Sequence, residues 1–377
     1  MKISPFNLER YFSQYEFRVR FLLSPSDCES LAQSELLDMA DAESRLLWEN
    51  LRLSYTESQG HPRLRAEISH LYEAVTPEQI LVAAPEEAIF LLMTSLLQPG
   101  DEVITLYPAY QSLYEIARSV GCKTLLWNTK LGSSGWQLDL DWLVDHITGR
   151  TRLVIVNFPH NPTGFLPTDQ EFQAVIDLVA RRGIHLFCDE MYRGLEYDPT
   201  RRIPSAVDLY ERACVLGGLS KTYALPGLRI GWLAAQEASL LQAVQNLKDY
   251  TTICHSAPSE ILGIIALQNS AVIIQRSLDI IRTNLEAAHA FFGRHSHLFE
   301  WLPPLAGSIA FPRYLGPGTV EEFCQSALEQ RGVMIVPGSL FDYPGNHFRV
   351  GLGRKNFGQA LIELEKMLQN NPSFKAS

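Results

Sequence analysis

The most informative segment of the chain is Ala213-Cys214-Val215-Leu216-Gly217-Gly218-Leu219-Ser220-Lys221, a lysine shortly after an uninterrupted apolar run. The apolar residues 213–216 predict a buried strand, so Lys221 is expected just beyond its carboxyl end. Arg229 follows the lysine by eight positions. Because ligands of open α/β sheets bind at the carboxyl ends of the strands, we expect both cations to face a ligand.

Other apolar runs of similar length predict further strands of the same sheet, at residues 81–82, 103–106, 153–156 and 184–188. Their near-continuous apolarity is typical of parallel strands that are covered on both faces. A helical stripe lies between two of them, at Phe172, Val175, Ile176 and Val179. This alternation of strands and helices predicts an α/β fold. After about residue 270 the pattern predicts an α+β module, with a long helix at 272–295, short strands and a last helix from Phe357.

The bulk composition excludes several classes of protein. The chain has 377 residues and a net charge of −10, without a Lys/Arg-rich block, which disfavours binding to nucleic acid or to an anionic membrane. We find no apolar stretch typical of a signal peptide or a membrane span. The six cysteines are scattered and form no C-x-x-C pair, which argues against a metal site and against disulfides. A cytoplasmic enzyme without a metal is expected.

Polar or aromatic side chains follow four of the predicted strands at similar distances. Tyr110 lies four residues after residue 106, Asn161 five after 156, and Lys221 five after 216, while Asp189 directly follows the run 184–188. Each has an ordinary explanation when taken alone, such as a turn, a helix cap or a surface charge. Their joint position at neighbouring strand ends favours one binding site.

These residue types suit pyridoxal 5'-phosphate (PLP). Its aldehyde needs an amine, which Lys221 can provide as a Schiff base. Its ring nitrogen needs a carboxylate that keeps it protonated, and Asp189 is the candidate. Tyr192 and Asn161 can approach its phenolic oxygen, and the ring of Tyr110 can stack on the pyridine.

The phosphate of such a cofactor suits a cation and a helix N-terminus. Arg229 is the predicted cation, and a helix that starts near Pro85 follows the strand at 81–82. Pro85 has no amide hydrogen but fits the first helical turn, so the N–H groups of Glu86 and Glu87 are the predicted donors, with both carboxylates turned away.

With these motifs the sequence resembles the class I/II aminotransferases, fold-type I PLP-dependent enzymes of the aspartate aminotransferase superfamily. The resemblance covers residues 55–354 and is most specific at 220–232, 157–164 and 189–192. It implies an α/β fold whose large domain, residues 45–272, carries a mostly parallel seven-stranded sheet between helices. A smaller α+β domain would combine residues 1–44 and 273–377.

The resemblance also assigns residues. It implies Lys221, Asp189 and Tyr192 as catalytic residues, and Arg349, in His347-Phe348-Arg349-Val350-Gly351, as the group that binds the substrate α-carboxylate, with Asn161 beside it. It further implies a homodimer, in which Tyr55 reaches the phosphate in the neighbouring subunit. Gly218 departs from the family pattern, because a phosphate-binding serine often stands three positions before the lysine.

The predicted reaction moves the amino group of an L-amino acid to a 2-oxo acid through the Lys221 Schiff base. The same fold leaves a PLP lyase, a decarboxylase or an amino-acid cyclase open as alternatives, because the fold does not determine the reaction. A non-catalytic PLP-binding protein is a remote alternative. A nicotinamide-binding protein and a P-loop protein are disfavoured, because the chain lacks G-x-G-x-x-G and has Ser220 where a P-loop needs glycine.

Overall fold

The computed structural model describes residues 2–132, 135–371 and 374. Its α-helices, numbered along the chain, are α1 Asn7–Tyr15, α2 Gln33–Asp38, α3 Ala42–Glu49, α4 Pro62–Ser69, α5 Pro85–Leu96, α6 Ser112–Val120, α7 Leu140–His146, α8 Asp169–Arg182, α9 Ala206–Leu209, α10 Ala238–Lys248, α11 Ala257–Gln268, α12 Ser270–Arg294, α13 Val320–Arg331 and α14 Phe357–Asn370.

The strands are shorter and fall into one large sheet and several small ones. They are β1 Phe21–Leu22, β2 Ile80–Ala83, β3 Glu102–Tyr107, β4 Lys123–Asn128, β5 Lys130–Gly132, β6 Gly135–Gln137, β7 Thr151–Asn157, β8 His185–Asp189, β9 Ala213–Gly218, β10 Gly231–Ala235, β11 Phe299–Glu300, β12 Ile309–Ala310, β13 Arg313–Tyr314, β14 Val333–Met334, β15 Val336–Pro337 and β16 Phe348–Gly351.

The large sheet has seven strands in the order β2-β10-β9-β8-β7-β3-β4. Strands β9, β8, β7, β3 and β4 pair in parallel, whereas β10 is antiparallel to both of its neighbours. The predicted α/β fold with a mostly parallel seven-stranded sheet is therefore confirmed. Because β9, β8, β7 and β3 are adjacent, the segments that follow their carboxyl ends emerge side by side.

Alternate residues of the central strands fill two separate hydrophobic cores. In β8, Phe187 belongs to one core, while Leu186 and Cys188 belong to the other. Successive side chains of a strand point to opposite faces, so this partition shows that the sheet is covered on both sides. The continuous apolar runs in the sequence predicted this arrangement.

Local signals in the sequence fix the helix that separates β7 from β8. The hydroxyl of Thr168 accepts a hydrogen bond from the N–H of Glu171, whose carboxylate accepts one from the N–H of Thr168, so α8 begins with a capping box. It ends at Gly183, which has a φ of 61°. That left-handed conformation favours glycine.

Two strands of the large sheet, β4 and β10, were not among the sequence predictions. Strand β4 mixes polar and apolar residues at the sheet edge, so it lacks a continuous apolar run. Strand β10 is fully buried, but its start overlaps residues 220–232, the segment that carries the family resemblance. Both cases show that periodicity is weakest where a strand lies at an edge or begins inside a motif.

The N-terminal segment pairs with the C-terminal part of the chain in one of the small sheets. Strand β1 pairs in parallel with β14, and a three-stranded sheet has the order β12-β16-β15. The N–H of Gly351 in β16 donates to the carbonyl oxygen of Leu23. A Cβ atom at position 351 would overlap the carbonyl oxygen of Pro25, so only glycine lets this N-terminal segment approach β16 so closely.

Among the described residues, no single helix is long and apolar enough to cross a membrane. Helices α11 and α12 together have the length and apolar composition of a membrane span, but they meet at a bend of 79°.

Candidate active site

A cavity of about 610 Å³ lies at the carboxyl ends of the adjacent strands β9, β8, β7 and β3. Most of the site residues proposed from the sequence line it, namely Lys221, Asp189, Tyr192, Asn161, Tyr110, Arg229, Glu86 and Arg349. Glu87 and Tyr55 do not line it. The structure thus brings together side chains that are up to 263 positions apart along the chain (349 − 86).

Lys221 follows the end of β9 and places its amine inside the cavity. The ammonium nitrogen Nζ donates a hydrogen bond of 2.8 Å to the hydroxyl oxygen of Ser26. Burial lowers the pKa of Lys221, with the positive charges of Arg349 and Arg229 acting in the same direction. A lowered pKa increases the fraction of neutral amine, which is the nucleophilic form.

Asp189 ends β8 and is buried, with 7% of its surface exposed. Its carboxylate accepts a hydrogen bond of 3.0 Å from the N–H of Met191. Burial raises the pKa of Asp189 to about 7, although that hydrogen bond and the charge of Lys221 lower it. A buried carboxylate needs a cationic partner, and a protonated pyridine nitrogen would be one.

Asn157, at the end of β7, fixes the turn that carries Asn161. Its side-chain oxygen accepts a hydrogen bond of 2.7 Å from the N–H of Asn161, and its amide nitrogen donates one of 2.8 Å to the carbonyl oxygen of Asp189. Asn157 therefore ties together the ends of two neighbouring strands. No pattern in the sequence singles out Asn157, because a strand-end asparagine is also an ordinary turn residue.

Arg349 lies in β16 and is almost fully buried, with 2% of its surface exposed. Its Nε donates to the carbonyl oxygen of Ser24 at 3.1 Å, and its Nη1 donates to the side-chain oxygen of Asn161 at 3.4 Å. Within the described part of the chain, no carboxylate forms an ion pair with it. A buried guanidinium of this kind is suited to bind an anion such as a carboxylate.

Two buried hydroxyl groups indicate that the cavity accommodates a polar ligand. The side-chain oxygens of Tyr192 and Ser220 have no hydrogen-bond partner among the described residues, although only 3% and 4% of these residues is exposed. An unsatisfied buried hydroxyl is unfavourable. Together with the carboxylate of Asp189 and the amine of Lys221, these hydroxyls form a donor and acceptor set that fits PLP.

Tyr110 connects the cavity to helix α1. Its hydroxyl donates a hydrogen bond of 2.8 Å to the carboxylate of Glu9, and its ring lies 4.8 Å from that of Phe6. The N-terminal segment thus holds in place the tyrosine ring that the sequence predicts to stack on the pyridine.

The predicted phosphate region contains Arg229 and the N-terminus of α5. Arg229 is exposed at the cavity mouth and has a φ of 57°. Helix α5 begins at Pro85 without a side-chain cap, so its first N–H groups have no partner within the helix. The carboxylate of Glu86 accepts a hydrogen bond of 3.3 Å from Ser112, and burial raises its pKa to about 7. A helix N-terminus beside a cation is suited to an anion.

Packing explains why residue 218 is a glycine. A Cβ atom there would lie 2.9 Å from Sδ of Met191 and 3.2 Å from the carbonyl oxygen of Ile230. Met191 thus occupies the space that a serine side chain at position 218 would need. The departure from the family pattern is explained by packing.

The remaining two residues lie outside the cavity. The carboxylate of Glu87 accepts hydrogen bonds from the hydroxyls of Thr251 and Thr252. Its carboxylate therefore turns toward the loop after α10, away from the cavity. Tyr55 is 87% exposed, as a side chain that reaches into another subunit would be in an isolated chain.

Sequence reasoning missed a group of N-terminal residues that line the cavity, namely Glu9, Phe12, Glu16, Ser26 and Asp27. No local motif distinguishes them. Phe17 also borders the cavity, although most of its surface is exposed.

Known proteins resemble this chain over most of its length. The sequence profile of the family described as aminotransferase class I and II matches residues 21–357. Capreomycidine synthase of Streptomyces vinaceus is 30% identical over 347 residues, which cover 91% of this chain and 88% of that protein. The aspartate aminotransferase of Thermotoga maritima is 26% identical over 303 residues, covering 78% and 77%.

Solved structures agree with the sequence comparison. A PLP-dependent aminotransferase from Streptococcus suis 89-1591 superposes with a TM-score of 0.92 at 28% identity, covering 100% of both chains. The PLP-dependent cyclase OrfR in complex with Au superposes with a TM-score of 0.90 at 29% identity, covering 98% of each chain.

Proposed function

The chain belongs to the class I and II aminotransferase family, whose enzymes use PLP, and we propose that it transfers the amino group of an L-amino acid to a 2-oxo acid. The observation that carries this proposal is the convergence of Lys221, Asp189 and Arg349 on one cavity. They supply an amine for the cofactor aldehyde, a carboxylate for its ring nitrogen, and a guanidinium that has no ion pair among the described residues. The family and the cofactor predicted from the sequence are confirmed.

The proposed roles of the residues follow from their chemistry. PLP, when bound, withdraws electrons from the substrate Cα and so makes its proton acidic. Lys221 would attach the cofactor and, once released, hold and move that proton. Asp189 would keep the ring nitrogen protonated, and Arg349 would fix the α-carboxylate so that Cα stays near the amine of Lys221.

The other residues would position the cofactor. Tyr192 and Asn161 would contact its phenolic oxygen, and Tyr110 would pack against its ring. Arg229 and the N–H groups of Glu86 and Glu87 would bind the phosphate. Burial raises the pKa of Tyr192, so its hydroxyl stays protonated and can donate a hydrogen bond.

A PLP-dependent cyclase is the second candidate. Two of the proteins similar to this chain support it, because one is named capreomycidine synthase and the other a PLP-dependent cyclase. Cyclisation and transamination share the removal of the Cα proton by the lysine, so the same residues serve both reactions. They differ in whether the amino group leaves the substrate.

A product assay distinguishes the two reactions. The PLP-loaded enzyme is incubated with a panel of L-amino acids, with and without 2-oxo acids, and the products are separated by chromatography and mass spectrometry. Transamination predicts a new amino acid that appears only when a 2-oxo acid is added. A product that forms without any 2-oxo acid and retains every carbon and nitrogen atom of its substrate in a new ring would contradict it and indicate a cyclase, whereas loss of carbon dioxide would indicate a decarboxylase.

We further propose that the active enzyme is a homodimer. Leu53, Tyr55 and Tyr250 are each about nine-tenths exposed. Lys248 connects their two segments, because its Nζ donates to the carbonyl oxygens of Ser58 at 2.7 Å and Ile253 at 2.8 Å. Exposed apolar side chains on joined segments favour a protein interface. Tyr55 would then reach the phosphate bound by the partner.

The division into a large domain, residues 45–272, and a small domain, residues 1–44 and 273–377, stays a proposal. The pairing of β1 with β14 supports the joining of both chain ends. The cytoplasmic location also stays a proposal, supported by the six cysteines that the structure shows as free thiols.

A further inference from the structure

Helix α1 presents one face to the active-site cavity. Glu9, Phe12 and Glu16 line the cavity, with Glu16 at the C-terminal end of the helix. Their spacing of three and four residues puts them in a row on one side of the helix. The row consists of one aromatic ring between two carboxylates.

The cavity lining described by the structure has five acidic residues (Glu9, Glu16, Asp27, Glu86 and Asp189) and four basic ones. The cations are Lys221, Arg229, Arg349 and Arg354. Arg354 is neutralised within the protein, because its Nη2 lies 2.8 Å from the carboxylate of Asp27. The other three cations are those proposed to attach the cofactor, bind its phosphate and bind the substrate α-carboxylate. None of them is left for Glu9 or Glu16.

Glu16 is the less satisfied of the two acids. Glu9 accepts a hydrogen bond from Tyr110, whereas no hydrogen bond or ion pair with another described residue reaches the carboxylate of Glu16. Burial raises the pKa of Glu16, and the neighbouring charge of Asp27 raises it further, whereas the charges of Arg354 and Lys221 partly offset this effect. A partly desolvated carboxylate beside a second one is stabilised by a cation.

Residues other than these acids also indicate that the cavity binds a ligand. The buried hydroxyls of Tyr192 and Ser220 border the same cavity and have no protein partner among the described residues. Arg349 fixes where an α-carboxylate would bind, and the ring of Phe12 lies 5.8 Å from its guanidinium carbon. Phe12 lies between Glu9 and Glu16 in this row, and all three residues line the same cavity as Arg349.

We propose that Glu16, with Glu9, forms a subsite for a positively charged substrate side chain, whose aliphatic part packs on Phe12. The preferred substrate is therefore a cationic L-amino acid. This inference rests on the proposed function, because it takes Arg349 as the group that binds the α-carboxylate.

The test compares L-lysine with L-norleucine, which have the same carbon chain and differ by the terminal ammonium. Dissociation constants for the PLP-loaded enzyme are measured by calorimetric titration, and products are analysed separately. L-Lysine is expected to bind at least about tenfold more tightly, since its ammonium can form a charge-assisted hydrogen bond that L-norleucine cannot form. Glu16→Gln should reduce this preference about tenfold, and Glu9→Gln should also reduce it.

Glu49→Gln is the matched control, because it removes one negative charge from an exposed position on α3 that lies outside the cavity. It should leave the preference intact. Since Glu16 has no hydrogen bond or ion pair to lose within the described part of the chain, its amide should not disturb folding, which circular dichroism and the cofactor absorbance verify. Equal binding of both ligands, or an unchanged preference in both cavity variants, would overturn the subsite.

Failure of the subsite and failure of the proposed function give different results. If L-lysine binds selectively but no 2-oxo acid forms from any substrate, the subsite stands and transamination is wrong. If transamination proceeds with no preference for a cationic side chain, the function stands and the subsite is wrong.

Discussion

The amine of Lys221 donates a hydrogen bond of 2.8 Å to the hydroxyl of Ser26, a residue 195 positions earlier in the chain. This bond connects the end of the central strand β9 to the segment that follows β1. The N-terminal part of the chain therefore completes the site that the large sheet begins. A charge-assisted hydrogen bond such as this one holds the nitrogen in a defined place inside the cavity.

Replacement of Asp189 tests its proposed electronic role. Asp189→Asn keeps the shape of the side chain and an acceptor for the N–H of Met191 but removes the negative charge. We expect kcat to fall at least about a hundredfold, because the ring nitrogen would lose the partner that keeps it protonated. Some PLP should remain bound, as measured by absorbance after gel filtration. A kcat within twofold of the wild type would contradict the role.

The pH dependence of stability provides a second test at the same residue. Burial raises the pKa of Asp189 to about 7 in the folded protein, from its ordinary value of 3.8. Between these values the folded state holds the proton more strongly than the unfolded state, so stability falls as the pH rises through this window. Each pKa unit corresponds to about 1.4 kcal/mol, which makes the loss on the order of 4 kcal/mol.

The measurement is urea unfolding of the cofactor-free protein at a series of pH values from about 4 to 8. The free energy of unfolding of Asp189→Asn should not show this part of the decline with rising pH. Near pH 8, Asp189→Asn should therefore be more stable than the wild type. If the two proteins show parallel curves, the carboxylate is not destabilised by burial.

Arg349→Ala should weaken the binding of amino acids. Because the buried guanidinium would bind the substrate α-carboxylate, its loss should raise KM by about a hundredfold or more, with a smaller fall in kcat. Steady-state kinetics with several amino donors measures both constants. Arg313→Ala is a suitable control, since Arg313 is half exposed and lies outside the cavity lining. An unchanged KM would remove Arg349 from the site.

The packing of Gly218 against Met191 predicts a non-additive pair of substitutions. Gly218→Ser alone should lower the free energy of unfolding by about 1–3 kcal/mol, because the new side chain meets Sδ of Met191. Combined with Met191→Ala, the serine should cost less than it does alone. The four proteins of the cycle are compared by urea unfolding. Strictly additive losses would show that Met191 is not the obstacle.

The parts of the site that could be predicted from the sequence share one property. Asn161, Asp189 and Lys221 follow apolar runs that are long enough to identify as strands, and the topology of an α/β sheet then places them together. Arg349 came from the family resemblance, because its strand β16 belongs to a different sheet. Tyr110 lies at the cavity, but the sequence does not predict its hydrogen bond to Glu9.

The residues that sequence reasoning missed depend on long-range packing. Ser26 reaches Lys221 because the N-terminal segment crosses β16 at Gly351, and nothing local in the sequence encodes that crossing. Glu16 likewise acquires its position only when α1 lies across the cavity. The sequence of a helix reveals which of its faces is polar, but it does not reveal the surface against which the helix packs.

The covalent attachment of the cofactor at Lys221 is the claim on which the other roles depend. The PLP-loaded enzyme is reduced with borohydride and digested, and the peptides are weighed by mass spectrometry. We predict that the peptide containing Lys221 carries the mass of the reduced cofactor and that Lys221→Ala abolishes both the label and turnover. An unmodified Lys221 peptide from fully loaded enzyme, or a label on another lysine, would contradict the assignment.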